Sequence, residues 1–542
     1  MKKILLLFFI AGVITSCKKN KPEEKFNSDS LIKLSNRESK LYIAKTLAIA
    51  VTKEPSLRAF IKNEALKQFD NDYDVFYQAA KNIVIDGKET FNEKILKYAS
   101  SKDSFNVALK KLPLLTIMIP ALPEFNAEIW QTSTDIPTVA VEPVDRDNKE
   151  SIKGFFNQES FEIPHGLLPA KATIVIKDNE RIVVNANTIN NTAKANNQSV
   201  QFLNSEGLLY SFADPAFNGL KIRVNNSMSA KALLNNTKVA SLNKVRNNDI
   251  MRAPSRSETY GYEHRKVDIS KVQHIIDAIQ SGSAWQRDNI YYGINPSTGI
   301  TSGPLKRNIK ESLTHFRFYD ASATFDQIGK NPGDPIPIEG KIWENWTTGT
   351  YEFRITAIVN AKNGPGLETM KTIWVYPSQL FSLNYTKIQV PHGTPPSQGT
   401  YFWGPSIDGA KLFELPVPIP LENWDLENLS FGWNIYFSRY NAAQTVTEVV
   451  SQSSEFATNF ELSIPLGEKI KVGAKFGASS KTTNSQSHTF SKTIGPQSFG
   501  SSSHYFDTPI WKDYTISGNT VTYNPYELNF GTVFLTIEPR LQ

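Results

Sequence analysis

Three aspartates alternate in Phe69-Asp70-Asn71-Asp72-Tyr73-Asp74, the densest run of oxygen ligands in the chain. Asp70, Asp72 and Asp74 at that spacing can supply three oxygens to Ca²⁺, as alternate acidic residues do at the start of a calcium loop. The rest of such a loop does not follow, because Val75 stands where a glycine makes the sharp turn and Lys81 where a bidentate glutamate closes the shell. The competing reading is an interhelical turn in which Asp72 or Asp74 caps a helix beginning near Val75. Asp145 and Asp147 repeat the spacing more weakly. A second chemistry is aromatic: Trp343, Trp346, Trp403 and Trp424 can stack on the apolar faces of sugar rings, or equally fill the space between two sheets. The seven histidines, His165, His264, His274, His315, His392, His488 and His504, include no pair four residues apart to hold one metal from a helix. The zincin, nucleophile-elbow, phosphate-loop and dinucleotide-loop motifs are missing. No catalytic residue is nominated, and an enzyme requires a site assembled from distant segments.

The single cysteine, Cys17, excludes an intramolecular disulfide framework and a multi-cysteine metal centre. Its position gives it another chemistry. Lys2 and Lys3 precede an apolar run from Ile4 to Ile14, too short to span a bilayer as a helix, which reads as a secretory signal. Ile14-Thr15-Ser16-Cys17 resembles the lipobox of bacterial lipoproteins, which implies cleavage after Ser16 and acylation of Cys17. More than one acyl chain gives a durable anchor where a single one binds reversibly. The formal charge of +6 would fall to +4 on cleavage, too thin an excess on 542 residues for a nucleic-acid binder. It is unevenly placed: residues 401 to 542 hold 9 basic and 13 acidic residues, so the basic part is the anchored one. Lys18 is not the aspartate that in well-studied lipoproteins signals inner-membrane retention, which points to the outer membrane. Lys21-Pro22-Glu23-Glu24 resembles surface-export signals of Bacteroidota lipoproteins.

The elements that must position these residues fall into blocks. Residues 1–16 are the signal and 17–30 a polar tether. Residues 30–184 are helical and then α+β: Ser35-x-x-Glu38 and Thr90-x-x-Glu93 are capping boxes, Leu41, Ala44, Leu47, Ala48 and Val51 share one helical face, Pro55 starts a second helix, Val75 to Ile83 suggest a third, and short β-branched runs begin at Pro113. Residues 185–259 are Asn-rich and read as a linker or loose connection with an apolar insert at residues 202–217. Residues 260–420 and 421–542 hold many short strands with Gly and Pro turns, expected as β-sandwich domains with the Pro-rich segment 415–420 as their seam. Val272, Ile275, Ile276 and Ile279 mark one helix before them. The expected class is therefore α+β multidomain, with a helical N-terminal domain followed by mainly antiparallel β domains.

Between residues 479 and 503, 13 of 25 residues are Ser or Thr, after a period-two alternation at 469–478. An alternating strand followed by a Ser/Thr-rich one resembles the insertion hairpin of aerolysin-type β-pore-forming toxins; the plain alternative is a hairpin with one wet face. The Asp70–Asp74 run together with Ile174-Val175-Ile176-Lys177-Asp178-Asn179-Glu180-Arg181 resembles the opening domain of uncharacterised Bacteroidota outer-membrane lipoproteins. Trp424 to Trp433, residues 445–454 and 473–480 are similar to their β-rich closing domain. The resemblance implies an envelope lipoprotein and carries no activity or cofactor. The leading reading is an anchored binding or structural protein with a protein or glycan partner; the alternatives are a polymer hydrolase and a pore former. Metabolic labelling with palmitate is expected to mark the wild-type chain and leave Cys17→Ala unlabelled and released from the membrane fraction. Equal labelling of both would refute the anchor.

Overall fold

Ser35 opens the Asn36–Lys53 helix by the expected capping box: its hydroxyl accepts the Glu38 N–H, and the Glu38 carboxylate accepts the Ser35 N–H at 2.7 Å. Thr90 and Glu93 start Phe91–Leu96 in the same way. A computed structural model describes residues 34–143, 151–186, 202–203, 208–212, 264–281, 286–294, 305–319, 346–347, 349–363, 366–389, 401–439, 446–457, 481–494 and 497–542. Cys17, Trp343, Asp145, Asp147 and the alternating run 469–478 lie outside them. The described residues form an α+β multidomain fold with mostly antiparallel sheets. Among the described residues no helix is long and apolar enough to cross a membrane.

In the N-terminal unit, Ala44, Leu47, Ala48 and Val51 of the first helix and Leu57 and Ile61 of Pro55–Ala65 are buried, as their spacing requires. They cover a six-stranded sheet whose order is Asp74–Phe76, Leu115–Met118, Thr173–Asp178, Thr138–Val141, Ile152–Phe156 and Glu159–Ile163. Only the pair Thr138–Val141 with Thr173–Asp178 is parallel. The third helix expected from Val75 to Ile83 is a strand, Asp74–Phe76, followed by a one-turn helix, Tyr77–Ala80. Pairing of Asp74 with Met118 and of Phe76 with Thr116 at the sheet edge overrides the local helical pattern.

The boundary expected at residue 184 is crossed by a strand. Ile182–Ala186 pairs with Leu208–Phe212, which also pairs with Phe202–Leu203, so the apolar insert of the Asn-rich stretch builds a three-stranded sheet. Tyr210 and Phe212 pack there with Phe76.

Beyond residue 264 the expected division at residue 420 is not followed by the sheets. One has the order Leu367–Val375, Tyr351–Ala361, Leu429–Arg439 and Gln497–Tyr505; the other runs Leu412–Pro420, Ile309–Phe318, Val533–Leu541 and Leu528–Asn529. Each combines strands from both sides of the supposed seam, and they share one core. Phe316 of the second sheet meets Phe353 and Phe437 of the first with ring centroids 5.6 and 5.7 Å apart. Leu412–Pro420 is therefore an edge strand. Its prolines are tolerated because one side of an edge needs no N–H donors, and the register slips between Leu313↔Ile419 and His315↔Glu414, where Pro416 and Pro418 fall. Ile275 and Ile276 of the Gln273–Ser281 helix are buried against this core, with Ile279 half-buried beside them.

The Ser/Thr-rich strand Lys481–Ile494 pairs with Val446–Ala457, and Gln497–Tyr505 joins the sandwich through Leu429–Arg439.

The two units meet along Tyr401–Ala410. That strand pairs on one side with Phe381–Gln389 and on the other with Leu168–Pro169 of the N-terminal unit. Phe402 and Trp346 are buried in the N-terminal core. Trp424, a sugar-stacking candidate from the sequence, is instead fully buried in the sandwich, stacked on Trp433 at 4.2 Å, with its indole N–H donating to Glu311 at 2.9 Å. Trp424→Ala is expected to cost about 3–5 kcal/mol of unfolding free energy in a denaturant titration. A loss under about 1 kcal/mol would contradict its place in the core.

Candidate functional site

The aspartates of the Asp70–Asp74 run are fully buried, and protein cations face them. Arg181 Nη1 lies 2.5 Å from Asp72 Oδ2, and Lys177 Nζ 2.9 Å from Asp74 Oδ2. Asn179 Nδ2 donates to Asp70 at 2.8 Å, and Arg181 Nη1 also donates to the Asp70 carbonyl at 2.8 Å. Two rows with a period of two thus face each other, Asp-x-Asp-x-Asp against Lys-x-Asn-x-Arg. Asn179 Nδ2 also lies 3.4 Å from Asp74 Oδ2, and among the described residues no three His, Cys, Asp or Glu side chains are grouped to hold a metal ion. Neither Asp72 nor Asp74 caps a helix, since Tyr77–Ala80 starts at Phe76 without a side-chain cap.

The lattice reaches into the sandwich. Arg181 Nη2 donates to Thr350 Oγ1 at 2.8 Å, and the Thr350 N–H donates to Asp72 Oδ1 at 3.1 Å. Gly349 has φ +79°, and a Cβ there would lie 2.7 Å from the Asp72 carboxylate, so glycine is required on both counts.

A second buried cluster lies inside the sandwich and was not foreseen from the sequence. Glu311 accepts from Arg287 Nε at 2.7 Å, from Trp424 and from Tyr291, and its other oxygen meets His504 Nε2 at 3.3 Å. Burial pushes this carboxyl up, but Arg287 and His504 outweigh it and hold it at about 2. Burial pulls the His504 imidazole down. With Glu311 0% and His504 3% exposed, this His–acid pair is a core tie and not an open catalytic pair.

An open site lies at the seam of the two units. A cleft of about 310 Å³ is lined by Leu122, Glu124, Phe125, Asp135, Ile136, Pro169 to Ala172, and Trp403. Of the four nominated tryptophans it therefore takes one, while Trp346 and Trp424 are core. The turn carrying Asp135 is fixed from within: Trp130 donates its indole N–H to the Asp135 carbonyl at 2.8 Å, and the Asp135 carboxylate accepts from the Gln131 N–H and the Thr134 hydroxyl, each at 3.0 Å. Glu124 is exposed beside it and has no hydrogen bond or ion pair among the described residues. Trp403 sits opposite Leu168 in the strand pair and is half-buried. Its Nε1 is shielded and has no hydrogen-bond partner among the described residues. The cleft thus combines an aromatic wall, two carboxylate acceptors and the Lys171 side chain. That set has the chemistry to stack on a sugar ring and to hydrogen-bond its hydroxyls. The only sequence signal for it was the Tyr401-Phe402-Trp403 run; the acidic members lie some 270 residues away in the chain.

No family model, no curated protein and no solved structure matches this chain.

Burial raises Asp70 to about 6, against the pull of Arg181 and with help from Asp72. The ordinary value is 3.8, so the folded chain holds this proton more tightly than the unfolded one, and the stability it contributes below pH 3.8 is lost as the pH rises through about 6. Asp70→Asn cannot ionise. Its unfolding free energy relative to wild type is expected to shift in its favour by about 1–3 kcal/mol between roughly pH 4 and pH 7. A pH-independent difference would refute the assignment.

Proposed function

We propose that this protein is a non-enzymatic, lipid-anchored binding protein of the outer membrane that captures a saccharide in the Trp403 cleft. The observation that carries the reading is the indole of Trp403, which walls an open cleft with two carboxylates beside it. A sugar offers an apolar ring face to the indole and hydroxyl donors to Glu124 and to the remaining lone pairs of Asp135. The signal run and Cys17 support the anchor, and the polar segment after it would carry the folded units away from the bilayer.

Two carboxylates in one cleft are also what a glycoside hydrolase uses. Asp135 speaks against that role, because its two oxygens already accept hydrogen bonds that hold its own turn. The cleft is thus suited to holding a ligand, and the anchor gives retention at the membrane a purpose.

Calorimetry with a panel of mono- and oligosaccharides tests the reading. At least one saccharide is expected to bind the wild type, and Trp403→Ala to weaken it about tenfold to a hundredfold, the loss of roughly 1.4–2.8 kcal/mol. Unchanged binding by the variant would move the site elsewhere. Release of reducing ends from a bound oligosaccharide would replace the reading with the hydrolase.

A further inference from the structure

The cleft is small for its proposed ligand. At about 310 Å³ it stands at the low end of small-molecule sites, which run from roughly 300 to 1,000 Å³, and it has room for a single sugar ring. Next to it the strand Tyr401–Ala410 offers a continuation. Tyr401 and Trp403 are two residues apart and so point to the same face, roughly 7 Å from each other along the strand, while Phe402 between them turns into the core. Exposure rises outward: Tyr385 and Trp403 are half-buried, and Tyr401 is 44% exposed. Lys387 and Gln389 stand opposite Trp403 and Tyr401 in the neighbouring strand, on that same face, and both are exposed. The Lys387 ammonium lies over both rings, 5.3 Å from each centroid, so cation–π contact ties the two aromatics together beside a hydrogen-bond donor.

We infer that Tyr401, with Lys387 and Gln389, forms an outer subsite for the next unit of a neutral saccharide chain whose first unit occupies the Trp403 cleft. The inference rests on the saccharide reading of the cleft and adds the ligand class: an oligomer of at least two units, recognised by two aromatic planes in line. Its neutrality follows from the inner position, where Glu124 and Asp135 outnumber Lys171 and repel an acidic sugar.

The test uses the full lipidated chain in a detergent without a sugar headgroup. Glucose, xylose and N-acetylglucosamine, and the hexasaccharides of each, are titrated into the wild type and Tyr401→Ala. One hexasaccharide is expected to bind the wild type at least tenfold more tightly than its monosaccharide, and Tyr401→Ala to remove that gain while leaving the monosaccharide affinity unchanged. Equal affinity of monomer and hexamer, or an unchanged gain in Tyr401→Ala, overturns the outer subsite while the cleft stands. A galacturonate hexamer binding more tightly than every neutral one overturns the neutral class. No binding by any saccharide overturns both the subsite and the reading beneath it.

Discussion

Arg181 and Asp72 form the contact on which the arrangement of the two units depends. Their ion pair is buried, and both partners are completed by Thr350 of the sandwich. Removing one partner of such a pair leaves a charge stranded in the interior at a cost of about 3–5 kcal/mol, whereas the intact pair adds little net stability over an apolar substitute. Its contribution here is register. It fixes where the sandwich meets the N-terminal sheet, and the same seam includes the Leu168–Pro169 pairing with Phe402 and Trp403. The cleft exists because that register holds.

The sandwich supplies the rigid side of the seam. Its two sheets interleave strands drawn from both ends of the segment 309–541. Glu311 ties Arg287, Tyr291, Trp424 and His504 to one carboxylate, and the ring cluster of Phe316, Phe353, Phe437 and Phe499 fills the space beside it. The strand Tyr401–Ala410 is held by this core at Ala410 and by the N-terminal core at Phe402, so Tyr401 and Trp403 have little freedom to lose on binding, which lowers the entropic cost of stacking.

Local chemistry was legible in the sequence and long-range partnership was not. The two capping boxes and the Gln273–Ser281 helix each depend on residues within one or two turns, and they appear where their spacing places them. The Asp70–Asp74 run could be read as a ligand set or a cap because its partners lie more than a hundred residues away at Lys177, Asn179 and Arg181. Only the matching alternation of the two segments hinted at their pairing. Val75 and Phe76 have a helical pattern that the sheet edge overrides. Among the tryptophans, sequence could not separate Trp403 from Trp424: Tyr401-Phe402-Trp403 is aromatic throughout, so alternation does not reveal which face is wet, and Trp424 is placed by Glu311 and Trp433 from other strands.

The seam places a half-buried indole beside two carboxylates at an opening, next to a face that continues through Tyr401. Everything proposed about function turns on whether that indole meets the ligand. Selective ¹⁵N labelling of the tryptophan side chains, with the Trp403 resonance assigned from Trp403→Phe, reads this directly. On addition of a bound saccharide, the Trp403 indole N–H signal is predicted to shift while those of Trp424 and Trp433 stay in place. A ligand that binds and leaves the Trp403 signal unmoved would contradict the claim.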